Sequence, residues 1–421
     1  MKIKELILYR NPGHREILEA MTALMEKGEE AAFDPYETVG RLTEFSAAHG
    51  FKGNLWHSFL AYVLATSENA FSMACEIRGA VEGTVNALAL HDFAIFKEWF
   101  DYDLAALDEI FGSRVFSFLK QYESTGTHST VFNRRIRDDI QTLSEELSRA
   151  ETEGQWHFIM TEFYRRFGVG KFGLHKAFRI EHKERPMIVP IKNIEHVYLE
   201  DLVGYESQKK KLIENTEAFV KGREANNCLL FGDSGTGKSS SIKAILHRYY
   251  DQGLRMIEIY KHQFQDLSDV IGQIKNRNYK FIIYMDDLSF EEFEVDYKYL
   301  KAIIEGGLEV KPGNVLIYAT SNRRHLIREN FSDKEEVRED MHRSDTVQEK
   351  LSLSSRFGVT IYFGRPEPKE FKQIVTTLAK RAGLEMPEEE LLLLANQWEL
   401  SHGGISGRTA VQFITYLKGT K

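Results

Sequence analysis

The residues of this chain with the plainest chemistry are a lysine and a serine that close a glycine-rich run, Gly232-Asp233-Ser234-Gly235-Thr236-Gly237-Lys238-Ser239-Ser240. Glycines at 232, 235 and 237 permit backbone turns closed to other residues, so successive N–H groups can face phosphate oxygens. Lys238 supplies a positive charge for the outer phosphates, and the Ser239 hydroxyl is placed to hold Mg2+. The apolar residues 228–231 before the run and a helical pattern over 241–249 after it give the strand, loop, helix context such a cradle needs, with the positive end of the helix toward the anion. A plain Gly/Ser surface loop is the competing explanation, and it does not account for the buried-type strand in front.

Two further strands carry polar residues at their ends. Phe281-Ile282-Ile283-Tyr284-Met285 runs into Asp286-Asp287, which delivers two carboxylates to the edge of a sheet where ligands of such sheets bind. Asp286 is placed to hold Mg2+ through water, and Asp287 to orient an attacking water or take its proton. Val315 to Thr320 is followed by Ser321-Asn322; Asn322 either reaches the terminal phosphate or the water, or starts a turn. Arg356 comes after a helical run over 346–353, and Arg408 stands at the start of the last helix. Spacing alone does not place Arg356. Arg408 could swing onto the phosphates as a small helical lid closes.

At 421 residues the chain exceeds one ordinary core. Residues 1–177 read as an all-helical N-terminal domain, with one long helical run over 70–90 and a second over 131–149. The aromatic residues Phe93, Phe96, Trp99, Phe100, Tyr102, Phe111, Phe116 and Phe118 recur at helical spacing, which favours core packing over a binding groove. The basic turns at 133–137 and 165–166 are followed or accompanied by acidic residues and read as solvated helix faces. Gly168-Val169-Gly170-Lys171-Phe172-Gly173 matches G-x-G-x-x-G but follows a helix, so it reads as a helix stop and not as a dinucleotide loop. Residues 178–197, with Pro186 and Pro190, read as an extended linker. Alternating strand and helix signals over 198–365 imply a mostly parallel α/β sheet with helices on both faces, and 366–421 a C-terminal helical lid.

Net charge is −8, which argues against a general affinity for nucleic acid and leaves a local basic stripe open. Two cysteines about 150 residues apart in the sequence offer neither a zinc cluster nor a disulfide framework. The short apolar run at the N-terminus and the want of an 18-residue apolar window predict a cytoplasmic protein with no membrane insertion.

Taken together, these motifs resemble the AAA+ ATPases, and more narrowly an uncharacterised bacterial AAA+ family known only as a domain of unknown function. Asp286-Asp287-Leu288-Ser289-Phe290, Ala319-Thr320-Ser321-Asn322-Arg323-Arg324-His325-Leu326 and the 349–358 stretch around Arg356 carry the narrower likeness. The resemblance implies a P-loop AAA+ parallel sheet sandwiched by helices, with ATP and Mg2+ as its ligands. It implies that Leu202, Val203 and Gly204 contact adenine, that Gly232 to Ser240 is Walker A and Asp286-Asp287 Walker B. It further implies that Asn322 is sensor 1, Arg356 an arginine finger acting on a neighbouring subunit, and Arg408 sensor 2. The function to expect is an ATP hydrolase that remodels or loads a protein or nucleoprotein client, assembled as a homo-oligomer through the ATP site. The alternative is a nucleotide-gated assembly module with slow or incidental hydrolysis, because Asp287 stands where most AAA+ members have the longer Glu. No aromatic-hydrophobic-Gly pore loop follows the strand at 256–260; Phe264 is the one aromatic offered there for gripping a polypeptide.

Overall fold

The computed structural model describes residues 2–80, 82–123, 134–182, 184–191, 194–290, 296–305, 312–323, 326 and 353–420. The chain divides into two compact units, Met1–His175 and Lys176–Lys421.

The first unit is helical. Its main helices are α1 (Arg15–Lys27), α2 (Pro35–His49), α3 (Leu55–Thr66), α4 (Ala70–Arg78), α5 (Val85–Asp101), α6 (Ala105–Phe111), α7 (Val115–Lys120), α8 (Arg134–Arg149), α9 (Glu153–Phe167) and α10 (Gly170–Leu174). Side chains close their starts: Asn54 accepts from the His57 N–H at 3.1 Å, and Asn69–Ser72 and Thr152–Gln155 form reciprocal caps. The single run expected over 70–90 is two helices. Gly79, at φ +72, turns its N–H back to the Cys75 carbonyl at 2.8 Å, ending α4 in a conformation that costs a non-glycine residue. Trp56, Phe59, Phe71, Phe93, Phe96, Phe116 and Trp156 fill one core, whereas Phe118 is exposed. Buried Asp92 ties the N-terminal segment down by accepting from the Ile7, Leu8 and Tyr9 N–H groups at 2.8–3.1 Å.

The G-x-G-x-x-G stretch is a helix stop, as its context predicts. Gly168 ends α9 at φ +79, and the Val169 N–H is already bound by the buried Glu76 carboxylate at 2.9 Å. The basic turns are ion-paired helix faces, with Arg137 on Asp138 at 2.7 Å and Arg165 on Glu162 at 2.7 Å; Asn133 lies outside the described residues.

The second unit is built on a seven-stranded sheet in the order β2-β1-β4-β5-β6-β3-β7. The strands are β1 (Ala177–His182), β2 (Pro186–Pro190), β3 (Cys228–Gly232), β4 (Leu254–Glu258), β5 (Lys280–Met285), β6 (Val315–Ser321) and β7 (Val359–Phe363). All neighbours are parallel except β1 and β2. This is the mostly parallel α/β sheet read from the sequence. One expectation is corrected: residues 177–190 are not a linker but two strands that extend the sheet through β1 pairing with β4. Short strands bracketed by proline and charge look like a tether in one dimension, and only the partner strand reveals them.

Helices α11 (Glu206–Val220), α12 (Lys238–Tyr249), α13 (Leu267–Ile274) and α14 (Tyr297–Glu305) flank the strands. Leu212 and Phe219 of α11 and Ile242, Ile245 and Tyr249 of α12 pack on Leu230, Ile282, Tyr284, Leu316 and Tyr318 of the sheet. A last group, α15 (Pro368–Arg381), α16 (Glu388–Ser401) and α17 (Gly407–Thr420), packs around Phe371, Val375, Ala395, Ala410 and Phe413 as a small helical lid. Of the helical run expected over 346–353, all but Leu353 lies outside the described residues. Phe264 is not a gripping aromatic: it is 2% exposed and packs against Phe290.

Candidate active site

Strand β3 hands the chain to α12 through the glycine-rich loop, and the loop works only with glycine at its first position. Gly232 sits at φ +135, and a Cβ there would stand 2.1 Å from the Phe363 carbonyl oxygen of β7. The next N–H, of Asp233, donates to that same oxygen at 3.0 Å. Gly232→Ala is therefore expected to combine a backbone strain of about 1–3 kcal/mol with a main-chain clash, giving an earlier melting transition for the second unit in calorimetry and no nucleotide binding in titration. Gly235 at φ +75 and Gly237 at φ +91 complete the turn, and Gly237 leads into α12.

Lys238 turns back into the loop. Its ammonium has three protons, and three acceptors surround it: the Gly232 carbonyl at 2.9 Å, the Asp233 carbonyl at 2.6 Å and Asn322 Oδ1 at 3.1 Å. Burial pulls its pKa below the ordinary lysine range, against the opposing pull of Asp233, Asp287 and Asp286.

The Ser239 hydroxyl donates to Asp286 Oδ1 at 2.6 Å, and the Thr320 hydroxyl donates to the same oxygen at 2.6 Å. Burial alone would raise the Asp286 carboxyl; these hydrogen bonds outweigh it and hold the group below the usual aspartate range. Asp287 follows in left-handed backbone, φ +50, an uncommon conformation for a residue with a side chain. Its carboxylate Oδ1 accepts from Asn322 Nδ2 at 2.8 Å. An ammonium can only donate and a carboxylate can only accept, so the two neighbours fix the Asn322 amide: oxygen toward Lys238, nitrogen toward Asp287. Asn322 is thus a bridge and not merely the start of a turn.

These groups face one cleft of about 630 Å³ lined by Ser234 to Ser240, Asp286, Asp287, Thr320, Asn322 and Arg408. Leu202, Val203, Phe363, Ile374, Leu378 and Val411 line it too and give it an apolar portion suited to a flat base. The lid meets the loop directly: the Arg408 N–H donates to the Gly235 carbonyl at 3.1 Å, and its guanidinium lies 3.4 Å from Ser234 Oγ. Gly232 and Asp233 form the base of the loop, where Asp233 Oδ2 accepts from the Arg365 N–H at 3.1 Å. Gly204, at φ +82, borders an adjacent groove that Leu202 and Val203 share. Arg356 is not among the residues lining the cleft.

The donor set fits Mg2+. A serine hydroxyl and an aspartate oxygen held together beside a phosphate-type loop are hard oxygen ligands, of the kind this ion takes alongside phosphate and water. Sequence reasoning passed over Thr320 and Arg365. Neither has a motif of its own; Thr320 becomes legible only once β5 and β6 are laid side by side, with Met285 opposite Ala319.

Residues 173–421 match a family model described as a protein of unknown function, DUF815. No curated protein matches the chain. Among solved structures, the Thermotoga maritima RuvB Holliday junction branch migration motor is similar at TM-score 0.38 and 16% identity, over 53% of this chain and 65% of that one, just under two thirds of its length. The FIGL-1 AAA domain in complex with ADP is similar at TM-score 0.37 and 18% identity, over 53% of this chain and 73% of that one.

Proposed function

The chain belongs to the DUF815 family, and because that membership brings no activity with it, we propose one from the site: Mg2+-dependent hydrolysis of ATP, coupled to remodelling or loading of a protein or nucleoprotein client. One observation carries the reading. A phosphate loop, a Ser–Asp oxygen pair, a second carboxylate and two amide or guanidinium donors converge on a single cleft.

In this reading the loop N–H groups and Lys238 take the phosphate oxygens, the lysine exchanging its carbonyl partners for the outer phosphates. Ser239 and Asp286 hold Mg2+, which when bound neutralises charge on the phosphate chain. Asp287 orients water at the terminal phosphorus and accepts its proton, while Asn322 keeps that carboxylate in register with Lys238. Arg408 carries the state of the phosphates into the lid, through a main-chain bond to Gly235 that any shift of the loop must disturb. Arg356, which does not line its own cleft, acts on the cleft of a neighbouring copy, so hydrolysis and homo-oligomer assembly are linked. The helical first unit is the client-recognition element.

Arg408→Ala is expected to lower turnover about ten- to a hundredfold, the loss of one charge-assisted contact of about 1.5–3 kcal/mol, with ADP affinity nearly kept. Phosphate release and a fluorescent-ADP titration read the two separately. The proposal as a whole is tested by ATP-dependent phosphate release from the purified chain with and without Mg2+; no release and no ATP binding would remove it.

A further inference from the structure

We propose that Thr320 is a positioning residue for both Walker B carboxylates, a single hydroxyl that sets Asp286 and Asp287 at once. The inference rests on the Mg-ATP reading of the cleft and adds a residue to it.

The directions of two hydrogen bonds define what Thr320 does. The Asp287 N–H donates to Thr320 Oγ1 at 2.9 Å. A backbone N–H has no other option, so the threonine oxygen must accept there, and its one proton is left for Asp286 Oδ1, 2.6 Å away. The Thr320 carbonyl takes the next N–H, of Leu288, at 2.7 Å. Three successive residues after β5 are therefore bracketed by one residue of β6, itself 2% exposed.

That bracket accounts for the left-handed Asp287. The ladder between β5 and β6 ends with Met285 opposite Ala319, and beyond it the chain must turn to bring the second carboxylate onto Asn322. A hydroxyl at 320 captures the turned N–H and so holds the turn in place. The same proton holds Asp286 Oδ1 in place beside Ser239. A valine at 320 has nearly the shape of threonine but neither accepts nor donates; a serine does both.

The test is the affinity for ATP, measured with Mg2+ and again in EDTA, for wild type, Thr320→Val, Thr320→Ala and Thr320→Ser. Outer-sphere partners of metal ligands typically contribute about ten- to a hundredfold in metal affinity or activity. The ratio of the two ATP affinities should fall by about that factor in the valine and alanine variants, the EDTA value staying within about threefold of wild type, and serine should restore the ratio. An unchanged ratio in both hydroxyl-free variants, or an equal loss in the serine variant, overturns the proposal. Hydrogen exchange of the segment at 285–290 decides the point independently of nucleotide. Faster exchange there in the valine variant, with serine protected, supports the bracket, and equal exchange in all variants overturns it. A wild type that binds no ATP in either buffer defeats the Mg-ATP reading alone, and the exchange result still judges the threonine.

Discussion

Lys238→Ala is expected to weaken ATP binding at least a hundredfold. The ammonium sits on the Gly232 and Asp233 carbonyls and on Asn322, with three hydrogen bonds in place. With ATP present, two of those donors would serve phosphate. Hydrogen bonds to charged groups are worth about 1.5–3 kcal/mol each, so the two contribute about 3–6 kcal/mol, a loss of at least a hundredfold in affinity. The alanine also releases Asn322 from one of its two neighbours, so Asp287 loses its indirect tie to the loop. Calorimetric titration with ATP measures the effect, and a dissociation constant within tenfold of wild type would exclude Lys238 as the phosphate ligand.

Asp287→Asn separates binding from chemistry. The exchanged amide still has an oxygen to accept from Asn322, and the main-chain turn at 287 is unaltered, so the cleft keeps its shape. Only the base and its negative charge are gone. Removal of a positioned general base costs about 10²- to 10⁴-fold, and phosphate release should drop by that amount while ATP affinity stays within a few-fold. The variant would then hold ATP and whatever client the ATP state engages, which makes it the form to use for client capture. Full turnover by Asp287→Asn would exclude Asp287 as the base; the nucleotide-gated assembly module, in which occupancy acts and hydrolysis is incidental, instead expects little turnover from the wild type itself. Mass measurement in apo, ADP and ATP forms separates the two: one unchanging oligomeric state would defeat that module.

The phosphate loop was legible in the sequence because its backbone forces the residue type. Gly232 stands too near β7 for any side chain, and that constraint is written as a letter. Asp286 and Asp287 were legible for a different reason: an apolar strand that ends in two charges has few other uses. The bonds between elements were not. Thr320 is one threonine among many until the end of the β5–β6 ladder brings its hydroxyl onto Asp286, and Phe264 reads the same whether it grips a client or fills a core. The break between α4 and α5 was hidden by apolar spacing that continues through Gly79 and Gly83. The strands at 177–190 were hidden because β4, the strand through which β1 ties both of them into the sheet, lies some eighty residues away in the chain.

Those two strands also decide where the sheet stops. The Ile191 N–H donates inward to the Ala177 carbonyl, so by the two-residue alternation of a strand the backbone of 186, 188 and 190 faces outward, away from β1. Two of those three residues, Pro186 and Pro190, have no N–H to offer, and the Pro186 carbonyl is already taken by the Gln273 side chain at 3.0 Å. A foreign strand approaching this border would find its acceptors unanswered at both ends. The β2 border of the sheet is thus a poor template for strand addition, from another copy of the chain or from any other protein.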